Sequence, residues 1–229
     1  MDVYEIKLKV YLLQSIKTEE SQPGIRKIID KTLSNEKKWL EFHQENKYKN
    51  YCFDSMYPLE QDKVYKEGNI YTVNIRTIDK DLAQYLNKNI SKEYTDKIKC
   101  LTTQIRIIPK KTIQKVYSIT PCILKTNGYW KNNLSIDDFE NRLKSNLIKK
   151  YNQINNTKVD EDFELYNSIQ FKNKKPCAIK YKDIKLLGDK ISLDIADDEI
   201  SQMIAYMSLG VGIGENNSAG AGFMGFRYL

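Results

Sequence analysis

The 229-residue chain carries 37 Lys and Arg against 30 Asp and Glu, a formal net charge of +7, and 41% hydrophobic residues. It has no unbroken apolar run of the roughly 18 residues a membrane-spanning helix needs, so that class is excluded. The surplus charge favours a polyanionic partner, although a chain crowded with Lys, Asn and Ile can also arise from AT-rich coding. A single histidine, His43, rules out a multi-histidine metal centre. The four cysteines, Cys52, Cys100, Cys122 and Cys177, are scattered with no Cys-x-x-Cys pair, so no zinc knuckle, disulfide framework, metal or cofactor is expected.

Met1 to Glu5 show an early acid and no basic lead into an apolar stretch, which does not read as a secretory signal, and a cytoplasmic protein is expected. Tyr4, Ile6, Leu8, Val10 and Leu12 alternate with Glu5, Lys7 and Lys9, the pattern of a half-buried strand. Ser21-Gln22-Pro23-Gly24 reads as a turn, and Ile25, Ile28, Ile29 and Leu33 follow at helical spacing. Trp39 and Phe42 predict a further short helix with His43 at its end. Strand-like aromatic residues run from Tyr48 to Tyr57. Val64-Tyr65, a Gly68-Asn69 turn, and Tyr71, Val73 and Ile75 on one face predict a hairpin. A helix from Asp79 bears Leu82, Tyr85 and Leu86, and Leu101 to Ile108 form a strand ended by Pro109. The order is β-α-β-β-α-β.

The second half repeats it. A strand through Val116 to Thr120 precedes a helix opened by the capping box of Ser135 and Asp138, with the stripe Ile136, Phe139, Leu143, Leu147 and Tyr151. Strands are predicted at Ser168–Phe171, Ala178–Leu187 and Ile191–Ile195, the last two as a hairpin about Gly188-Asp189. Asp197 and Asp198 can cap a helix with Ile200, Met203, Ile204 and Met207, and an aromatic strand ends at Tyr228. The expectation is an α+β chain of two tandem ferredoxin-like domains, 1–111 and 112–229, alike in element order and not evidently in sequence.

Six of the ten glycines cluster at Gly210, Gly212, Gly214, Gly220, Gly222 and Gly225. Glycine admits positive φ and lets backbone amides approach an anion, so this stretch reads either as a phosphate-binding loop or as a tightly packed turn. It follows a helix and enters a strand, the reverse of the dinucleotide-binding arrangement, and it lacks the Gly-Lys-Ser/Thr ending of a Walker loop.

The stretch Gly212-Ile213-Gly214-Glu215-Asn216-Asn217-Ser218-Ala219-Gly220-Ala221-Gly222 resembles the C-terminal signature of the CRISPR repeat-processing endoribonucleases, the Cas-six family: Gly, hydrophobic, Gly, five residues, Gly, hydrophobic, Gly. Ala221 stands where a larger residue is usual, and Asn216 where a basic one is common. The resemblance spans essentially the whole chain and implies RNA contacts by Gly212, Gly214, Asn217, Ser218, Gly220, Gly222 and Arg227. It also implies a catalytic role for His43, placed after the first helices and before Tyr48-Lys49-Asn50-Tyr51.

The implied reaction is metal-independent cleavage by the substrate's own 2′-hydroxyl, with CRISPR repeat RNA as partner. It requires a base for the 2′ proton, an acid for the leaving 5′-oxygen and a cation for the phosphorane. Histidine suits either proton transfer. Because a second histidine is missing, the other transfer falls to a tyrosine, Tyr48 and Tyr51 being nearest, a lysine, water or no group at all, and Lys49, with Lys47 in reserve, is the expected cation. A non-cleaving repeat-binding subunit of a CRISPR ribonucleoprotein is the alternative, and a nucleotide-handling enzyme a more distant one. Other effector subunits are further expected partners, and monomer and homodimer both remain open.

Overall fold

The computed structural model describes every residue of the chain except Asn46. In chain order its first half holds β1 (Tyr4–Leu12), β2 (Ile16–Lys17), α1 (Thr18–Ser34), α2 (Lys37–Gln44), β3 (Tyr51–Phe53), β4 (Val64–Tyr65), β5 (Ile70–Thr77), α3 (Lys80–Asn89) and β6 (Ile98–Ile107). The antiparallel sheet runs β3-β5-β1-β6, the ferredoxin-like order. Its register sets Ile6, Leu8 and Val10 opposite Ile75, Val73 and Tyr71, all buried, so the alternation read in the sequence forms the inner face. Ile25, Ile28, Ile29 and Leu33 of α1 and Leu82 and Leu86 of α3 cover that face.

Two local expectations change. The predicted turn at Ser21–Gly24 lies inside α1, which begins at Thr18. Ser21 and Gln22 are buried there, and a Cβ on Gly24 would come within 2.9 Å of Ile98 Cδ1, so glycine permits close packing of the helix on β6. Pro23 forfeits one intrahelical bond near the helix start, which the surrounding packing tolerates. β4 pairs with β2 and not with β5, whose neighbours are β3 and β1. Tyr65 is buried in that position: its ring meets Tyr71 of β5 edge-on at 4.9 Å and its hydroxyl donates to the Met56 carbonyl. Of the Tyr48–Tyr57 stretch only β3 is a strand, with a single bridge from Tyr57 to Thr72.

The second half comprises β7 (Ile113–Ser118), α4 (Ile136–Asn155), β8 (Tyr166–Phe171), β9 (Cys177–Tyr181), β10 (Ile184–Gly188), β11 (Ile191–Ile195), α5 (Glu199–Val211) and β12 (Met224–Tyr228). Its main sheet, β12-β7-β11-β8, repeats the ferredoxin-like order. Both expected caps form, the box of Ser135 with Asp138 on α4 and Asp198 on α5. Ile136 lies outside the buried stripe, at 56% exposure. The hairpin expected about Gly188-Asp189 is displaced. The run 178–187 folds on itself as the separate β9–β10 ribbon around Lys182, at φ +53°, while β11 joins β7 and β8. Buried Asp189 accepts bonds from Tyr129 and Trp130, and a Cβ on Gly188 would lie 2.1 Å from the Cys122 carbonyl oxygen, so this segment is tied to the 122 loop. Among the described residues no helix is long and apolar enough to cross a membrane.

The halves interlock. Val3 belongs to the second core, and Arg76 of β5 bridges the sheets by pairing with Glu5 at 2.8 Å and donating to the Met224 carbonyl at 2.6 Å. Burial alone would raise the Glu5 carboxyl, but Arg76 and Arg106 together hold it below its ordinary 4.5. In acid the unfolded chain therefore takes up the proton first. The pair's contribution is complete above about pH 4.5 and is lost as pH falls through the lower folded value. Arg76→Ala, which leaves the buried Glu5 carboxylate with Arg106 alone, is expected to lower urea-unfolding stability by about 3 kcal/mol at neutral pH, the low end for a broken buried pair, with a smaller deficit in acid. An unchanged midpoint at pH 7 would refute this.

Candidate functional site

Between the halves lies a cleft of about 460 Å³. One wall is the segment after α2, including Lys47, Tyr48, Lys49 and Tyr51. The other is formed by Asn146 and Lys150 of α4 together with residues 215–218 of the glycine loop. Four lysines, Lys47, Lys49, Lys125 and Lys150, face it against Glu45 and Glu215. The Glu215 carboxylate is already engaged, by Arg142 at 3.0 Å and by the Lys125 amide at 3.0 Å.

The glycines are buried and shape the loop. Gly212, Gly214, Gly220 and Gly222 all have positive φ, between 64° and 93°. The Gly212 amide donates to Ser208, that of Gly220 to Asn217 and that of Gly222 to Pro121. The Asn217 side chain staples the turn, donating 3.0 Å bonds to the Ile213 and Ala221 carbonyls. What faces the cleft is the half-buried segment Glu215 to Ser218. The tight-turn reading thus describes the glycines themselves.

Beneath the loop sits Lys150, 2% exposed. Its ammonium donates to the carbonyls of Gly212 (3.0 Å) and Gly214 (2.7 Å) and to Asn217 Oδ1 (2.7 Å). Burial pulls its pKa down to about 8, opposed by Cys122, Cys52 and Glu215. Both thiols are themselves pushed up to about 12 by burial and stay protonated. The sequence carried a signal for Lys150: it stands three residues after Leu147, within the apolar stripe of α4.

His43 lies in the last turn of α2, half-buried, next to the cleft-lining residues Glu45 and Lys47 to Tyr51. Its Nδ1 faces Asp30 Oδ1 of α1 at 3.6 Å. Arg26 Nε pairs with the same carboxylate through Oδ2 at 3.3 Å. Tyr51 is fully buried, within the fields of Asp30 and Arg26 and with the Ser218 side chain beside its hydroxyl, and burial drives its phenol well above the ordinary value. Gln22 of α1 donates to the Gly220 carbonyl at 2.6 Å. Helix α1 therefore joins the histidine to the glycine loop, a link that nothing in the sequence spacing announces.

The other expected residues part company. Lys49 lines the cleft, but its ammonium holds the end of α2 through the Phe42 and Glu45 carbonyls. The ring of Tyr48 lies 5.7 Å from the Lys150 ammonium, and its phenol is raised by burial and by Glu215. Arg227 lies outside the cleft lining, on β12, bonded to Gln114 at 2.8 Å, because strand alternation turns it to the open face of the second sheet. No group of three His, Cys, Asp or Glu side chains able to hold a metal comes together among the described residues.

Two ferredoxin-like sheets sharing a lysine-lined cleft, closed by a glycine loop between the last helix and strand, define the class. The sequence profile described as CRISPR associated protein Cas6, C-terminal, matches residues 109–225. The chain belongs to the CRISPR-associated Cas6 family. Its fold is shared with a solved structure characterising a Cas6-related gene from Pyrococcus furiosus, at 17% identity, 98% coverage of both chains and TM-score 0.73. A RAMP protein binding different RNA substrates is similar at 19% identity, covering 98% of this chain and 99% of that one, with TM-score 0.73. Thermus thermophilus Cas6 is similar at 10% identity, covering 99% and 98%, with TM-score 0.60. At these identities the likeness concerns the fold alone. No curated protein matches the sequence.

Proposed function

We propose that this Cas6-family chain processes CRISPR repeat RNA as an endoribonuclease, cutting within each repeat without a metal ion. The single observation that supports it most is the placement of the only histidine two residues ahead of Glu45, where one wall of a lysine-lined cleft begins, the other wall being the Glu215–Ser218 segment of the family's glycine loop. The substrate 2′-hydroxyl attacks the adjacent phosphorus and the 5′-oxygen leaves, giving a 2′,3′-cyclic phosphate or 3′-phosphate and a 5′-hydroxyl. His43 transfers a proton in this step. Tyr48 and Tyr51, kept neutral by burial, are suited to donating a proton and not to accepting one. Lys49, on releasing one of its carbonyls, supplies charge to the phosphorane. RNA is held by the cleft lysines and by the Glu215–Ser218 face, including Asn217 and Ser218. Gly212, Gly214, Gly220 and Gly222 keep that face in shape, and Arg227 contributes a separate contact on the second sheet. Residues 1–111 and 112–229 are the two domains that grip the strand, and repeat RNA, other CRISPR effector subunits and a second copy are the partners.

Repeat RNA is expected to be cut in EDTA, and a 2′-deoxy nucleotide at the scissile position should block the cut. Loss of cleavage in EDTA, or cleavage of the deoxy substrate, overturns the mechanism. One observation favours the non-cleaving alternative: in this structure His43 turns its Nδ1 to Asp30 and is not itself part of the cleft lining. Tight, salt-sensitive repeat binding with no product at any pH would establish that reading.

A further inference from the structure

Asp30 Oδ1 and His43 Nδ1 are both shut off from solvent, and neither has a hydrogen-bond partner among the described residues. They face each other at 3.6 Å across the contact of α1 with α2. An acceptor and a ring nitrogen able to donate, each buried and each lacking any other partner, are complementary only to one another. The carboxylate is fixed from its far side: Oδ2 takes Arg26 Nε at 3.3 Å, and the Arg26 guanidinium lies 4.9 Å over the Tyr181 ring of β9. Helix α1 and the β9–β10 ribbon are pinned together further by Lys180 with Glu20 and Lys185 with Glu19. A carboxylate so held is a rigid post, whereas His43 sits on the last turn of an eight-residue helix and needs one.

We propose that Asp30 is the positioning residue of His43, accepting the Nδ1 proton so that the ring is held with Nε2 free for the RNA. This rests on the reading of His43 as the proton-transfer group. Fixing one imidazole nitrogen determines the tautomer and aims the other; carboxylates that do this for metal-bound histidines are worth about 10- to 100-fold, and an effect of that order is expected here. Burial raises the Asp30 carboxyl overall, and the charges of His43 and Arg26 only partly offset that rise, so the role of Asp30 rests on the facing of the two atoms and on their lack of other partners.

Because the chain has one histidine, its 15N spectrum contains one imidazole. In the wild-type protein the neutral ring is expected as the Nδ1–H tautomer, a measurement that needs no variant to fold. Asp30→Ala should mix the tautomers and slow single-turnover cleavage of repeat RNA about 10- to 100-fold, with the repeat Kd within about twofold. A wild-type ring protonated on Nε2, or an Asp30→Ala protein that cleaves at the wild-type rate while His43→Ala is inactive, overturns the role of Asp30 alone. A His43→Ala protein cleaving at the wild-type rate overturns both this role and the catalytic reading beneath it.

Discussion

Replacing His43 by alanine is expected to slow cleavage of repeat RNA by about two to four orders of magnitude, the usual worth of a positioned general acid or base. The loss should be near the upper end because the chain has no other histidine to substitute for it. The raised phenols of Tyr48 and Tyr51 titrate far from neutral pH. Binding should survive, since the cleft lysines and the loop face do not depend on the imidazole. His43 is also half-buried at a helix end, where truncation opens no core cavity. Single-turnover kinetics in EDTA, run beside filter binding of the same repeat, separate the two effects. A rate within about threefold of wild type would remove His43 from the mechanism.

Gly222→Ala is expected to damage both stability and RNA binding. A Cβ there would lie 1.9 Å from the Ile213 carbonyl oxygen and 2.9 Å from Asn217 Nδ2, and φ is +64°. The left-handed conformation costs a non-glycine residue about 1–2 kcal/mol, and forcing extra volume into packed surroundings adds a comparable amount, giving about 2–4 kcal/mol. The displaced atoms are those that Asn217 and Lys150 hold in register. The 215–218 face should therefore lose its shape and the repeat Kd should rise about tenfold. Gly128→Ala is the control: its φ is +94°, but nothing lies within 4 Å of a Cβ, so only the conformational cost of about 1–2 kcal/mol is expected and RNA affinity should not change. Equal behaviour of the two variants in thermal unfolding and filter binding would show that the Gly222 contacts carry no weight.

The sheets were legible where a one-face pattern meets water on the other face. Ile6, Leu8 and Val10 repeat with period two and land on the inner face of β1. Helix caps at Ser135 and Asp198 were legible because they satisfy amides three residues away, a wholly local need. Pairing was less so. β4 pairs with β2, Tyr65 opposite Ile16, and not with the strand nearest in sequence, and 178–187 folded on itself while Asp189 found its partners some sixty residues back at Tyr129 and Trp130. The same limit applies to the candidate site. His43 and the glycine run could be picked out as residue types in a pattern, and Lys150 by its place in the apolar stripe of α4, while Asp30 and Gln22 could not.

By itself the sequence determined the two βαββαβ halves and the glycine loop with its positive-φ requirement, because alternation, capping and backbone freedom act over a few residues. It also determined that a single imidazole would be available. Only the tertiary structure decided which groups meet: Gln22 with Gly220, Lys150 with the loop carbonyls, and Asp30 with His43. Those contacts join residues up to 198 positions apart. They exist because the inward faces of α1 and α4 carry polar atoms away from water, and the interlocked halves offer those atoms each other.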